Sequence, residues 1–239
     1  HPLARRPASR APIKISREGK FLSAATPLRL PSPVLPIIDP LTTDSLVEAV
    51  RAVAHGGANW VEYRDKETDD RRVHERAVAM VSACREFDVR LLINDRVDVA
   101  LAAGADGVHL GQDDLPVSKA RELLGTEAII GISVDNAEEA RAAETLPVDY
   151  IAIGPVFATS SKPDAGPVVS LDGVRQAAVS ISKPLVAVGG IDLSNAGAVV
   201  AAGCDCVAVL SALHGSGGLE HITRQLMNAA DTGFSLREN

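Results

Sequence analysis

The chain has 239 residues and a formal net charge of −7, and hydrophobic residues make up 46% of it while aromatic residues make up 3%. This length allows one large domain, and a core of Ala, Val, Leu and Ile suits a parallel sheet wrapped by helices. The acidic, aromatic-poor composition argues against nucleic acid as the main partner, and no apolar run approaches the ~18 residues that a membrane-spanning helix needs.

Residues 1–30 differ from the rest of the chain in composition. They contain seven Lys or Arg residues and one Glu, and they lack hydrophobic periodicity. We expect a flexible basic tail over 1–30 and a single domain over 31–239. An Arg-rich, acid-poor leader is also typical of organelle transit peptides, although no amphipathic helix is evident. Import of the protein into an organelle is therefore an alternative to a cytoplasmic location.

The cysteine count is odd, with Cys84, Cys204 and Cys206 as the only members. A chain of this size with three cysteines does not indicate a disulfide framework, and a reducing, cytoplasmic compartment fits. Cys204 and Cys206 have a spacing that metal or redox sites also use. Because Cys206 opens an apolar run, we interpret it as a small hydrophobic side chain.

From Pro31 onward, short Val, Ile and Leu runs alternate with helical patterns, several of which end at glycine. The runs predict strands at 34–39, 60–64, 90–95, 107–111, 128–134, 150–157, 184–190 and 206–213. The helical patterns cover 43–55, 69–87, 97–103, 116–124, 136–145, 171–180, 194–201 and 218–230. Eight strand–helix units in about 200 residues predict an α/β fold, a single-domain TIM (β/α)8 barrel, with its active site at the carboxyl ends of the strands. A doubly wound sheet gives the same alternation, but no Gly-x-Gly-x-x-Gly motif follows the first strand.

The second strand ends in a charged run. Alternation along a strand puts Glu62, Arg64 and Lys66 on one side. Arg64 with its planar guanidinium and Lys66 with its compact charge indicate an anion site. A solvated loop paired with nearby acids would also explain this run, but the other strand ends favour the anion site.

Carboxylates follow the third and fourth strands, at Asp95 and Asp114. Two such strand ends can bring both side chains to one point, and paired carboxylates prefer Mg²⁺ to softer metals. Asp95 could instead pair with Arg96, and Asp114 could cap the helix that begins near Pro116.

Hydroxyl and imidazole groups occupy the next strand ends. Ser133 ends the fifth strand and suits a phosphate oxygen. His109 lies within the fourth strand as a pocket-lining or a core histidine, and we include it among the candidate substrate-binding residues. The loop after the sixth strand is long enough to move over a ligand. Its polar residues are Thr159, Ser160, Ser161 and Lys162.

The last two strands end in small residues. Gly190 follows the seventh strand and Ser211 the eighth, which is the usual position of a backbone phosphate site in this fold. The barrel mouth therefore has two predicted anion sites, one basic and metal-assisted, the other formed by backbone. A diphosphate and a monophosphate would fill them.

Four strings in this chain resemble the thiamine-phosphate synthase family, in the family's order and spacing from roughly Val34 to Leu213. They are Ile93-Asn94-Asp95-Arg96, the run 107–114, Gly154-Pro155-Val156-Phe157 with Lys162-Pro163, and Val188-Gly189-Gly190-Ile191.

The resemblance implies a transferase in which a hydroxymethylpyrimidine diphosphate loses pyrophosphate and a thiazole phosphate attacks through its ring nitrogen. It implies Mg²⁺ at Asp95 and Asp114, and leaving-group stabilisation by Arg64, Lys66 and Lys162. Contacts to the pyrimidine diphosphate would come from Glu62, Tyr63, Arg64, Asp65, Lys66, Asn94, Ser133 and Lys162. Contacts to the thiazole phosphate would come from Thr159, Ser160, Ser161, Gly190, Leu210 and Ser211.

The expected partners are small phosphorylated molecules, without nucleic acid or membrane, and a homo-oligomer stays open. Two other functions also stay open. The family usually has Gln where this chain has Glu62, which leaves room for a non-catalytic phosphate-binding barrel. A thiazole tautomerase has the same barrel, but it uses a histidine after the fifth strand, where this chain has Asp135.

Overall fold

A computed structural model describes residues 30–66, 69–161 and 166–237. The predicted basic tail over 1–30 lies, apart from Leu30, outside these residues, and so does the candidate Lys162.

The centre of the fold is a closed barrel of eight parallel strands, in which each strand pairs with the next and the last pairs with the first. The register sets Ile37 against Glu62 between the first two strands, and Val34 against Val207 where the barrel closes. The predicted (β/α)8 barrel is confirmed. Its strands are β1 (Val34–Ile38), β2 (Trp60–Tyr63), β3 (Arg90–Asn94), β4 (Gly107–Leu110), β5 (Ile129–Val134), β6 (Tyr150–Ile153), β7 (Leu185–Val188) and β8 (Cys206–Val209).

A helix follows each strand, and side chains cap several of the helix starts. Ser45 accepts a hydrogen bond from the Glu48 amide at 3.3 Å, and Asn136 accepts one from the Glu139 amide at 2.9 Å. The helices are α1 (Leu46–His55), α2 (Asp70–Glu86), α3 (Val97–Ala103), α4 (Val117–Leu124), α5 (Ala137–Ala143), α6 (Ser170–Ala178), α7 (Ala196–Ala201) and α8 (Gly218–Arg237), with a 3-10 turn at Ser211–His214 before α8. Within the described part of the chain, none of these helices is both long and apolar enough to cross a membrane.

The predicted elements are all found, with some ends shifted. β6 stops at Ile153 rather than at residue 157, because Pro155 has no amide to extend the strand ladder. α8 runs to Arg237 rather than to Ala230. Its late glycine, Gly233, does not end the helix but permits close packing, since a Cβ atom there would lie 2.5 Å from the carbonyl oxygen of Gly197 on α7.

Alternation along the strands divides the core into two parts. Outward-facing residues such as Val61 and Ile93 pack against the helices. Inward-facing residues such as Trp60 and Leu92 fill the barrel. Two residues further along the same inward rows stand Glu62 and Asn94, so the interior changes from apolar to polar towards the carboxyl ends of the strands.

The three cysteines belong to the apolar packing. Cys84, Cys204 and Cys206 are buried and free of disulfides. Burial raises the pKa of the Cys84 and Cys204 thiols to about 12, so both remain neutral at physiological pH. The interpretation of Cys206 as a small hydrophobic side chain therefore agrees with its surroundings.

One close approach inside the barrel fixes the position of Tyr150. The strand register places His109, Gly131 and Tyr150 side by side on β4, β5 and β6. A Cβ atom at Gly131 would lie 2.1 Å from Cζ of Tyr150. The tyrosine ring therefore crosses β5 over the space that the missing side chain leaves, and it reaches β4.

We expect Gly131→Ala to lower the free energy of unfolding by about 1–3 kcal/mol, the usual range for overpacking a filled core. Urea denaturation followed by circular dichroism measures this change. In a Tyr150→Ala background the same substitution should cost much less, because the ring that it meets is gone. Equal costs in the two backgrounds would contradict the crossing of the ring over Gly131.

Candidate active site

A cavity of about 190 Å³ opens at the carboxyl ends of the strands. Its inner wall is apolar and includes Leu35, Ile37, Ala152 and Val186. Most of the candidates from the sequence also line it: Glu62, Arg64, Lys66, Asn94, Asp95, His109, Ser133, Thr159, Ser161, Gly190, Leu210 and Ser211. His109 is thus a cavity-lining residue rather than a core residue.

Tyr63 and Asp65 lie apart from the other candidates of this run. Their side chains lie outside the cavity, where the Tyr63 hydroxyl donates to Asp65 at 2.8 Å and Arg76 of α2 donates to the same carboxylate at 2.9 Å. Residues with odd numbers in this stretch face the helices, whereas Glu62, Arg64 and Lys66 face inward. Three side chains of the run 62–66 therefore face the cavity, and the contact of Tyr63 and Asp65 with a substrate stays a prediction.

Two further candidates lie apart from the cavity wall. Ser160 is exposed and is not among the lining residues, although Thr159 and Ser161 on either side of it are. Asp114 contacts Asp95 without lining the cavity itself.

A carboxylate that the sequence reading missed positions Arg64. Asp39 directly follows β1 and is buried, and its Oδ2 accepts a hydrogen bond from Arg64 Nη1 at 3.2 Å. The other oxygen accepts from the Leu41 amide at 2.9 Å. Asp39 therefore keeps the guanidinium at the cavity rim. The signal was in the sequence, since Asp39 ends an apolar strand as Asp95 does.

Lys66, Asp95 and Asp114 form a contiguous charged group, which we call the acidic rim. Lys66 donates to Asp95, and the Asp114 carboxyl lies close enough to Asp95 for the two groups to interact. Asp114 also accepts from the Gly111 amide at 2.7 Å. Burial and the Asp95 carboxyl raise the pKa of Asp114, as expected for two carboxyl groups that share one site.

The backbone around Asp95 explains how β3 and β4 join at this rim. Asp95 has a φ of +60°, a left-handed conformation that Asp tolerates better than most residues. Its amide donates to the carbonyl of His109 at 2.8 Å. The turn directs the chain out of β3 and fixes Asp95 to β4, the strand that leads to Asp114.

Glu62 is the buried acid of the cavity wall, with 4% of its surface exposed. Burial raises its pKa from 4.5 to about 8, and the charge of Asp95 adds to this effect, while Arg64 and Lys66 act against it. The carboxyl is therefore mostly protonated at pH 7. A neutral acid can donate as well as accept a hydrogen bond, whereas a carboxylate can only accept.

A row of polar groups crosses the cavity wall below the rim. His109 Nδ1 is 2.7 Å from the Tyr150 hydroxyl, and His109 Nε2 is 2.8 Å from Ser133 Oγ. The His109 and Tyr150 rings are stacked, with their centroids 5.6 Å apart. Tyr150 lines the cavity although it is fully buried, and the sequence reading did not single it out.

The opposite wall is formed by backbone. Gly189 and Gly190 follow β7 with φ values of +96° and +64°. A Cβ atom at Gly190 would lie 2.7 Å from the Ala158 carbonyl oxygen, so the loop after β6 packs directly on this turn. Asn195 donates to the Gly190 carbonyl at 3.0 Å and fixes the turn from the other side. No side chain separates this part of the backbone from the cavity.

Comparison with known proteins places this geometry in a family. The sequence model of the thiamine monophosphate synthase family matches residues 34–213. The chain is 46% identical over 182 residues to thiamine-phosphate synthase from Syntrophomonas wolfei, covering 76% of this chain and 87% of that protein. It is 45% identical to the Chloroflexus aurantiacus enzyme of the same name, covering 74% of this chain and 82% of that protein. Among solved structures, thiamine phosphate pyrophosphorylase from Pyrococcus furiosus superposes with a TM-score of 0.75 at 36% identity, covering 84% of this chain and 96% of that one.

The closed barrel, with a charged cavity at the carboxyl ends of its strands, defines a (β/α)8-barrel enzyme. The matches specify which one: the chain belongs to the thiamine monophosphate synthase family of transferases. The resemblance read from the four sequence strings is confirmed.

We expect Glu62→Gln to reduce the pH dependence of stability. Folded Glu62 keeps its proton up to about pH 8, whereas unfolded Glu62 ionises near 4.5. Between these values the unfolded state binds fewer protons, so the stability of the parent relative to the variant falls as pH rises. The expected slope is at most about 1.4 kcal/mol per pH unit, and the difference levels off above pH 8.

Urea unfolding of both proteins across this range measures the difference. The other carboxyl groups titrate alike in both proteins, so their contribution cancels from the difference in unfolding free energy. A difference that stays constant from pH 5 to pH 9 would show that the folded protein does not retain the Glu62 proton.

Proposed function

We propose that this enzyme joins 4-amino-2-methyl-5-(diphosphooxymethyl)pyrimidine to a thiazole phosphate, giving thiamine phosphate and pyrophosphate. The observation that carries the proposal is the pairing of opposite walls in one cavity. Arg64 and the acidic rim follow β2, β3 and β4, and the glycine turn at Gly190 follows β7. This arrangement suits a diphosphate on one wall and a monophosphate on the other.

The reaction breaks the bond between the pyrimidine methylene carbon and the diphosphate oxygen, and the bonding electrons leave with pyrophosphate. The thiazole ring nitrogen then donates its lone pair to the methylene carbon. The amino group of the pyrimidine stabilises the cationic methylene, so no protein nucleophile is needed. The protein's part is to orient both substrates and to stabilise the negative charge that grows on the leaving group.

Arg64 and Lys66 suit the stabilisation of the leaving group. Both line the cavity, and both are already oriented by carboxylates, Arg64 by Asp39 and Lys66 by Asp95. Cations that are fixed before the substrate enters lose little entropy when charge develops. We assign Lys162 to the same role from the sequence, although it lies outside the described residues.

The acidic rim fits Mg²⁺. Asp95 and Asp114 supply hard oxygen donors at one place, and burial together with the neighbouring Asp95 raises the pKa of Asp114, an effect that a bound divalent cation would oppose. Among the described residues, no cluster of three or more His, Cys, Asp or Glu side chains is placed to hold a metal. The remaining ligands would therefore be water and the diphosphate, as Mg²⁺ prefers. Bound at these carboxylates, Mg²⁺ would neutralise charge on the pyrophosphate leaving group.

The neutral Glu62 suits the pyrimidine rather than the diphosphate. It lies on the wall next to Arg64, and a charged carboxylate there would repel the diphosphate. In its protonated form it can donate to a ring nitrogen and accept from the amino group. Asn94, Ser133 and His109 line the same side of the cavity. We assign these four residues to the pyrimidine substrate.

The thiazole phosphate is assigned to the backbone wall. Gly190 and Ser211 would bind its phosphate, and Leu210 would contact its ring. Thr159 and Ser161, from the loop after β6, line the cavity beside them. Contact of Ser160 with the same substrate stays a prediction. A cytoplasmic location and a homo-oligomeric state stay predictions.

The activity itself gives the first test. Incubation with both substrates and Mg²⁺ should release pyrophosphate and form thiamine phosphate, and omission of any one of the three should abolish release. Conversion of a thiazole tautomer without the pyrimidine would instead identify a tautomerase. Binding of either substrate without turnover would identify a non-catalytic barrel.

Asp95→Asn should lower kcat/KM by about 100-fold or more, in the range that a fixed electrostatic group contributes to a transition state. The loss should be partly recovered at high Mg²⁺ concentration if metal affinity is what falls. Asp172→Asn is the matched control, because Asp172 is an exposed acid on α6 paired with Arg175. Near-normal turnover by Asp95→Asn, with its fold verified by circular dichroism, would remove Asp95 from the mechanism.

A further inference from the structure

The hydrogen bonds of the polar row below the rim have a donor-to-acceptor direction, and the positions of the protons determine it. It consists of Tyr150 on β6, His109 on β4 and Ser133 on β5, joined by the hydrogen bonds of 2.7 and 2.8 Å described above. Gly131 makes the first bond possible, because the Tyr150 ring reaches β4 over it. The substrate contacts proposed above give Tyr150 no role and do not determine this direction.

The Tyr150 hydroxyl keeps its proton, because burial raises its pKa well above the ordinary value of 10 and the nearby Glu62 acts in the same direction. Within the described residues, its one hydrogen-bond partner is His109 Nδ1. A buried hydroxyl proton without an acceptor is costly, so the proton is donated to Nδ1. In the neutral ring, Nδ1 then accepts and Nε2 carries the hydrogen.

The same reasoning continues to Ser133. If Nε2 carries the hydrogen, it donates to Ser133 Oγ, and the serine proton cannot point back to the imidazole. Ser133 lines the cavity and has no other hydrogen-bond partner in the described part of the chain. Its hydroxyl therefore donates into the cavity.

We propose that Tyr150 is a positioning residue that sets the histidine tautomer and thereby makes Ser133 a hydrogen-bond donor to the substrate. Without the tyrosine hydroxyl, Nδ1 no longer accepts a hydrogen bond from Tyr150, and the balance between the two tautomers shifts towards the one with the hydrogen on Nδ1. Ser133 would then donate to Nε2, and a donor would be lost from the cavity. The acceptor that this donor fits is a phosphate oxygen or a ring nitrogen of the pyrimidine substrate, and that last step rests on the proposed function.

Nitrogen NMR of the ¹⁵N-labelled protein tests the tautomer without any substrate. Long-range correlations distinguish protonated from unprotonated ring nitrogens, and His109→Gln identifies the His109 signals by difference. The parent protein should show Nε2 protonated and Nδ1 unprotonated. Tyr150→Phe keeps the ring that packs over Gly131 and removes only the hydroxyl, and it should shift His109 towards the Nδ1-protonated form.

Two further variants make this test specific. Tyr63→Phe removes the hydroxyl of the other tyrosine, which bonds to Asp65 outside the cavity, and it should leave the His109 signals in place. Ser133→Ala removes the far end of the row and should also leave the tautomer unchanged, because Tyr150 sets it. Nδ1 protonation in the parent, or an unchanged tautomer in Tyr150→Phe, would overturn the proposal.

A kinetic cycle tests the consequence for the reaction. Tyr150→Phe should lower kcat/KM for the pyrimidine substrate about tenfold or more, the loss expected for one hydrogen bond to a charged group. Tyr150→Phe in a Ser133→Ala background should cause little further loss, because the donor it orients is already absent. Additive losses would show that Tyr150 does not act through Ser133. If the parent protein releases no pyrophosphate, the proposed function fails, while the NMR result still decides the tautomer.

Discussion

The pairing of β1 with β8 is the constraint on which the site depends. In an open sheet with the same strand order, Arg64 and the acidic rim would stand near one edge, and the glycine turn after β7 near the other. Closure brings both to one cavity, with the inner side chains of β1, Leu35 and Ile37, on the wall between them. Two substrates bound to different strands can then meet, because the barrel is narrow enough for its rim to enclose both.

Charged and neutral side chains lie at different depths in this cavity. The rim carries the charged groups, with Arg64 and Lys66 each bonded to a carboxylate. One layer deeper, Glu62 is neutral and the Tyr150 hydroxyl keeps its proton. Because uncompensated charge is expensive in the low-dielectric interior, hydrogen bonding at that depth relies on neutral groups. Charge stabilisation therefore belongs to the rim, and recognition of uncharged substrate atoms belongs to the layer beneath it.

The rim carboxylates also determine how its cations meet a diphosphate. Asp39 is buried and accepts from both Arg64 and the Leu41 amide, so it stays in place when a ligand enters. Arg64 has further donors to offer while it keeps that bond. Lys66 is about half exposed and bonded to Asp95, and it is the more adjustable of the two. The site thus combines one fixed planar donor with one flexible point charge.

The sequence specified the barrel and most of the rim, because both follow from local rules. Apolar runs marked the strands, and polar residues at or just past the strand ends marked Arg64, Lys66 and Asp95 as rim candidates and Ser133 as a residue of the layer below. The same rule covers Asp39, which was overlooked. Strand alternation, which put Glu62, Arg64 and Lys66 on one side, also puts Tyr63 and Asp65 on the other, where the structure has them.

Local sequence rules do not predict the contact that Tyr150 makes. It begins a strand, is fully buried, and in the sequence resembles any aromatic core residue. Its contact with His109 depends on the register of three strands and on the absence of a side chain at Gly131, which lies 19 positions earlier in the chain. A glycine inside a predicted strand signals a close approach without naming the group that approaches. What approaches here is the hydroxyl that, as we propose, sets the His109 tautomer, so a residue without a local sequence signal gives the polar row its direction.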